Sequence, residues 1–253
     1  MEDMSIYVCT HKKFEKKCDF FKPILCGAID KGDDFGYIKD DTGDNISELN
    51  PFYSELTGLY WIWKNSSSKI IGLCHYRRSF IKHVWGGYLS KKDIFNFLDD
   101  YDIVVAKKLK FTYSTYEQYS KHHVEADISL VKKSVEKLYP SYIPSFNKFF
   151  NSNGLYPYNM FIAKKGLMDK YCEWLFSIFD DFKLNINLDT YENDYQRRVF
   201  AFLSERLFNI WIIHNHLKVK ECYVKKEEAK SSVVSIIDDN YLNSILYDTL
   251  EKF

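Results

Sequence analysis

No stretch of this 253-residue sequence approaches the ~20 apolar residues needed to span a bilayer. The opening residues Met1-Glu2-Asp3-Met4 are acidic and no apolar leader run follows them, whereas a secretory signal begins with basic residues. The expectation is a cytoplasmic protein, with any membrane contact peripheral and at the inner face. Net charge is missing too, since 35 Lys and Arg balance 35 Asp and Glu. A general nucleic-acid binder carries a basic excess to neutralise phosphates, so nucleic acid is not an expected partner. A local basic pocket for one diphosphate is compatible with the balance. The six cysteines (Cys9, Cys18, Cys26, Cys74, Cys172 and Cys222) lack Cys-x-x-Cys and zinc-ligand spacing. Several sit in apolar runs, which points to buried free thiols in a reducing compartment. Gly-x-Gly-x-x-Gly, the Walker loop and Gly-x-Ser-x-Gly are all absent. Dehydrogenase, P-loop NTPase and α/β-hydrolase readings lose their main support.

Aromatic residues are what the chain has in excess, with 20 Tyr, 20 Phe and 5 Trp. Large rings fill cores, and they also stack on sugars; composition leaves both open. Apolar runs predict strands at 5–10, 22–29, 69–74, 102–106, 158–164 and 217–225. Helical spacing predicts a helix from Pro51 to Lys64, one from Ser90 as N-cap to Leu98, helical segments over 116–139, and long helices over 167–182 and 192–215. Lys165-Gly166 reads as a turn. Strands alternating with helices predict an α/β domain with a mostly parallel central sheet flanked by helices. That domain is expected over residues 1–225, with a helical tail over 226–253 packed on it.

The strongest chemical feature is His75-Tyr76-Arg77-Arg78 at a strand terminus. Guanidinium forks suit a diphosphate and the charge that develops on a departing one, or they pair with loop carboxylates. In the loop Asp40 to Ser47, Asp41 and Asn45 suit a uracil or ribose, or the loop simply caps the next helix. Glu205 stands among Phe202, Leu203, Leu207 and Phe208, so it is expected to be half-buried. It is a candidate general base, or a buried partner of an arginine such as Arg198. His122 and His123 are adjacent, point different ways on a helix and have no third ligand at useful spacing, so no structural zinc is expected. Asp100-Tyr101-Asp102 matches the Asp-x-Asp pattern that holds Mn or Mg in many sugar transferases, but it precedes its strand and is discounted. The need for a divalent metal stays open.

Several ordered strings resemble one bacterial polysaccharide-biosynthesis family. They are Gly43-Asp44-Asn45-Ile46-Ser47, Glu55 to Asn65 (Glu-Leu-Thr-Gly-Leu-Tyr-Trp-Ile-Trp-Lys-Asn), Ile71 to Phe80, Tyr116-Glu117-Gln118-Tyr119, Asn159-Met160-Phe161 and Phe202 to Leu207. That family, long catalogued as a domain of unknown function (DUF4422-like), includes galactofuranosyltransferases. The resemblance implies a GT-A-like (Rossmann-like nucleotide-sugar transferase) fold. It also implies inverting transfer from a UDP-sugar, UDP-galactofuranose leading, to a glycan acceptor in capsule, O-antigen or related surface-polysaccharide synthesis. Acceptors in such pathways are commonly lipid-linked. By the same resemblance Glu205 is the base, with Asp194 in reserve. Thr10, His11, Lys12, Asp41 and Asn45 line the nucleotide, and His75, Arg77 and Arg78 hold the diphosphate. Tyr116, Tyr119, His122 and Asn159 meet the sugars. Ala201 replaces the glycine usual just before Phe202. The alternatives are another UDP-hexose donor on the same fold, and a non-catalytic glycan- or nucleotide-binding module.

Overall fold

The computed structural model describes residues 3–16 and 18–226. The strands are β1 (Met4–Thr10), β2 (Phe21–Leu25), β3 (Ile38–Lys39), β4 (Ile70–His75), β5 (Arg78–Ile81), β6 (Ile103–Ala106), β7 (Leu109–Lys110), β8 (Gly154–Leu155), β9 (Phe161–Lys164) and β10 (Val219–Lys226). The helices are α1 (Asn50–Tyr53), α2 (Leu56–Asn65), α3 (Lys91–Asp100), α4 (Thr115–His122), α5 (Ala126–Leu138), α6 (Ile143–Phe150), α7 (Lys165–Phe182) and α8 (Val199–His214).

The main sheet runs β3-β2-β1-β4-β5-β10-β6-β9, and β9 also pairs with β4, so β4, β5, β10, β6 and β9 close a ring. Parallel pairing joins β3, β2, β1 and β4, and separately β10 with β6. The β4–β5, β5–β10, β4–β9 and β6–β9 pairs are antiparallel. The sheet is therefore mixed, which corrects the mostly parallel expectation. Only Tyr76 and Arg77 separate β4 from β5, and so short a turn can join only antiparallel neighbours.

Strand residues alternate between two cores, as a period of two requires. Tyr7, Cys9, Ile71, Leu73, Ile103 and Val105 face a large helical layer. Ile6, Val8, Ile70, Cys74, Val104 and Ala106 face a smaller cluster that includes Ile94 and Leu98 of α3. Gly72 allows the close approach at the sheet centre, where a Cβ would stand 2.5 Å from Ile6 Cδ1. The aromatic excess is mostly spent in the helical layer: Tyr53 stacks on Phe200 at 4.2 Å, and Phe179 and Phe182 meet the same ring edge-on. Ser90 begins α3 as expected, accepting from Asp93 N while the Asp93 carboxylate takes Ser90 N.

Other boundaries move. The helix expected over 51–64 is broken at Ser54, where φ is 50°. Lys165-Gly166 opens α7 rather than a turn, and before α8 the 192–195 segment is bends and turn, followed by one 3-10 turn over Gln196–Arg198. Strand β9 starts at Phe161, because Tyr158 and Asn159 take left-handed φ of 77° and 52°. All six cysteines are free. No helix among the described residues is long and apolar enough to cross a membrane. The tail expected over 226–253 lies, beyond Lys226 at the end of β10, outside the described residues.

Candidate active site

The carboxyl ends of β1 and β4 open on one edge of the sheet, where the Ser54 break, the Tyr158-Asn159 turn and α8 converge. Thr10 closes the exit of β1: its Oγ1 donates to Lys12 O at 2.6 Å and accepts from Lys12 N at 3.1 Å. Beyond it a cationic group gathers on Tyr76. The His11 ring meets it edge-on at 5.1 Å, Lys12 Nζ lies 5.1 Å from its centroid and the Arg77 guanidinium 4.9 Å. Burial pushes the His11 pKa down, and the charges of Lys31, Arg77, Lys12 and Arg198 push it the same way. Such a concentration of positive charge, inside a chain of zero formal net charge, suits an anion.

Alongside lies a cleft of about 470 Å³. Glu55, Arg78, Lys110, Arg198, Glu205 and Arg206 supply its charge, and Phe111, Tyr113, Tyr158, Tyr195 and Phe202 supply rings. Glu205, its side chain 24% exposed, comes from the middle of α8. Its Oε1 accepts from Tyr158 N at 3.0 Å and its Oε2 from Arg206 Nη1 at 3.1 Å. Burial raises the Glu205 pKa; Arg206 opposes, the Glu55 charge adds to the rise, and the Tyr158 amide and Arg78 oppose. Arg206, its side chain only 4% exposed, also donates to Gln118 Oε1 at 2.6 Å and Phe202 O at 3.0 Å, and lies over the Tyr119 ring.

His75 Nε2 stands 2.6 Å from Tyr158 O. A carbonyl only accepts, so this contact assigns the hydrogen to Nε2. Burial pushes the His75 pKa down, Glu55 and the Tyr158 carbonyl pull it up, and Arg78 pushes it down. Arg78 stacks over the Tyr158 ring at 4.3 Å, its buried Nε without a hydrogen-bond partner. His123 stacks on Phe202 at 3.9 Å, and its pKa falls to about 3 through burial and then the Arg206 charge.

The residues singled out in the sequence thus divide. Glu205, His75, Arg78 and His122 line the cleft, and Thr10, His11, Lys12 and Arg77 stand at the neighbouring strand ends. Asp41 pairs with Lys39 at 3.0 Å, and Asn45 closes its own loop onto Gly43 O and Ser47 N. The same loop is organised by buried Asp40, which accepts from Gly27 N, Ala28 N and Ser47 Oγ. Tyr119 is buried with its hydroxyl on Asp127, and Tyr116 bonds Glu125, both away from the cleft. Asn159 is buried under the cleft wall, where its Nδ2 donates to Glu55 Oε1 at 2.8 Å. Asp194 is 99% exposed, 3.5 Å from Arg197, and borders an adjoining groove of about 500 Å³ that shares Tyr195 and Arg198 with the cleft. Ala201 lines the cleft, and its carbonyl accepts from Ser204 Oγ. Glu55, Arg206 and Gln118 are among the cleft residues to which the sequence gave no role. The first is a lone carboxylate in an apolar helical string, and the family-like strings containing all three were the available signal. Asp100-Tyr101-Asp102 does precede β6, with Asp102 accepting from Lys218 N. Among the described residues no three His, Cys, Asp or Glu side chains converge as metal ligands.

No curated protein sequence matches the chain significantly. A solved structure described as the WbbM bifunctional glycosyltransferase in its apo form superposes with a TM-score of 0.81 at 32% identity. The match covers 90% of this chain and 46% of that one, so this chain spans less than half of that protein. Residues 5–216 match the family described as "Domain of unknown function (DUF4422)". That stretch runs from the second residue of β1 to just past α8 and holds every strand and helix that shapes the cleft, so the chain belongs to the DUF4422 family.

Proposed function

We propose that the chain is a glycosyltransferase of surface-polysaccharide synthesis. In this reading it moves a hexose with inversion from a UDP-sugar, UDP-galactofuranose leading, to a hydroxyl of a glycan acceptor. The observation that carries it is one cleft that holds a half-buried carboxyl of raised proton affinity, Glu205, together with Arg78, beside the cationic strand ends. The likeness to a bifunctional glycosyltransferase supports the reaction class.

In the proposed step the acceptor oxygen attacks the anomeric carbon and its proton passes to Glu205. A new C–O bond forms as the bond to the diphosphate breaks, and UDP leaves with the electron pair. Arg77 and Arg78 offset the charge that develops on it. His75, whose Nε2 is engaged by Tyr158 O, fixes the turn that carries Glu205's amide donor. At the end of β4, Arg77 and Arg78 supply positive charge of the kind a divalent ion would otherwise bring to the diphosphate.

Calorimetric titration with UDP, with and without manganese, tests the donor site. Removing a charged donor to phosphate costs about 1.5–3 kcal/mol, so Arg77→Ala is expected to weaken UDP roughly tenfold to a hundredfold. No binding by the unsubstituted protein in either condition would remove the donor reading and leave a glycan-binding module.

Peripheral contact with an anionic membrane belongs to the same proposal. Trp85 is 74% exposed on the β5–α3 loop, with Lys82, Lys91 and Lys92 exposed nearby. An exposed indole beside lysines suits an anionic lipid interface. Vesicles containing anionic phospholipid are expected to carry the protein in flotation, and Trp85→Ala to reduce its recovery. Failure to float even at low salt would remove membrane contact.

A further inference from the structure

Glu55 is the cleft carboxylate that the proposed reaction leaves without a role. It follows the left-handed Ser54 between α1 and α2 and lines the cleft with His75, Arg78 and Glu205. Its Oε1 accepts from Asn159 Nδ2 at 2.8 Å, and among the described residues it makes no ion pair. A partly buried carboxylate without a cation costs stability, and such groups gather where a ligand uses them. Its support is strained as well. Tyr158 and Asn159 hold consecutive φ of 77° and 52°, and buried Asn159 Oδ1 has no hydrogen-bond partner. That one turn fastens three cleft side chains: Tyr158 N to Glu205, Tyr158 O to His75, and Asn159 Nδ2 to Glu55.

We infer that Glu55 is a substrate-contacting carboxylate that accepts hydrogen bonds from hydroxyl groups of the donor's sugar ring, with Asn159 as its positioning residue. The inference rests on the transferase reading above. In an inverting displacement the transferred ring lies between the leaving diphosphate and the attacking hydroxyl. Glu55 shares the cleft with both Arg78 and Glu205, the groups proposed for the leaving diphosphate and the attacking hydroxyl. Asn159 occupies Oε1 and leaves Oε2, whose lone pairs suit sugar hydroxyls. Tyr158 and Phe202 also line the cleft, and aromatic rings suit the C–H side of a sugar.

Titration of UDP-galactofuranose beside UDP tests this, with UDP-galactopyranose and UDP-glucose as further probes. Glu55→Gln keeps an acceptor for Asn159 but removes the charge. It is expected to weaken the UDP-sugar about tenfold, with UDP itself within about twofold. Glu55→Asp, which keeps the charge and shortens the reach, is expected to weaken the sugar nucleotide in the same direction, and supplies the test if Glu55→Gln unfolds. Asn159→Ala should follow with a smaller loss. In turnover, the acid limb of kcat/KM for Glu55→Gln should move to lower pH, because the Glu55 charge no longer raises Glu205. Were the unsubstituted protein to bind none of the UDP-sugars, the transferase reading itself would fail. If it binds one and both Glu55 variants bind it equally well, with an unmoved pH profile, the assignment of Glu55 is wrong while that reading stands.

Discussion

Glu205→Gln is expected to lower kcat by about two to four orders of magnitude, the usual contribution of a positioned general base, while UDP affinity stays within about twofold. The amide oxygen still accepts from Tyr158 N, while its NH2 now faces Arg206 Nη1 and loses that bond; Arg206 stays held by Gln118 and Phe202 O, so unchanged UDP affinity is the check that the site has kept its shape. The sign of the pH dependence follows from the raised pKa of Glu205. The carboxylate is the working form, so the rate rises as pH climbs through its pKa, which lies above the ordinary glutamate value. The acid limb should disappear in the variant. Asp194→Asn supplies the contrast: that side chain is almost fully exposed and outside the cleft, and its loss should leave the rate near the original. A large loss from Asp194→Asn with little from Glu205→Gln would move the base to the 192–198 segment.

What the sequence made legible were groups that local rules determine. The apolar runs at β1, β4, β6 and β10 and the Ser90 cap of α3 are such cases. Glu205 among apolar α8 neighbours is another, since an apolar helical face sets burial locally. Pairing direction is a tertiary property, so the antiparallel β5 and β9 could not be read from runs that look alike in either sense. The Ser54 break and the Tyr158-Asn159 turn were also hidden, because residues other than glycine seldom take positive φ, and of these three only Asn159 is of a type enriched there. These two strained points aim Glu55 and hold Glu205, so the hidden part of the fold is the part that shapes the site. The burial of Tyr119 was hidden for a simpler reason: Asp127, which takes its hydroxyl, is eight residues away on the next helix.

Arg206→Met should be the most destabilising of these substitutions. The guanidinium is buried and serves Glu205, Gln118, Phe202 O and the Tyr119 ring together. Removing one member of a buried ion pair costs about 3–5 kcal/mol, because the other charge is left without a partner. Glu205 is a quarter exposed, so water screens part of that cost and the lower end applies. A chain of this size loses roughly 2–4 °C of Tm per kcal/mol, so a fall of roughly 6–12 °C is expected near neutral pH. The pH dependence identifies the cause. Arg206 is the largest influence holding the Glu205 pKa down, so without it that pKa rises further above its unfolded value. A group whose folded pKa is raised is fully tolerated below its unfolded pKa and loses stability as pH rises through the folded one. The gap in Tm between Arg206→Met and the original protein should therefore narrow toward pH 4 and widen toward pH 8. Adding Glu205→Gln to Arg206→Met should recover part of the loss at neutral pH and almost none at pH 4. A Tm deficit that is the same at both pH values, and that Glu205→Gln does not relieve, would mean that Arg206 matters for packing alone and does not set the charge state of the proposed base.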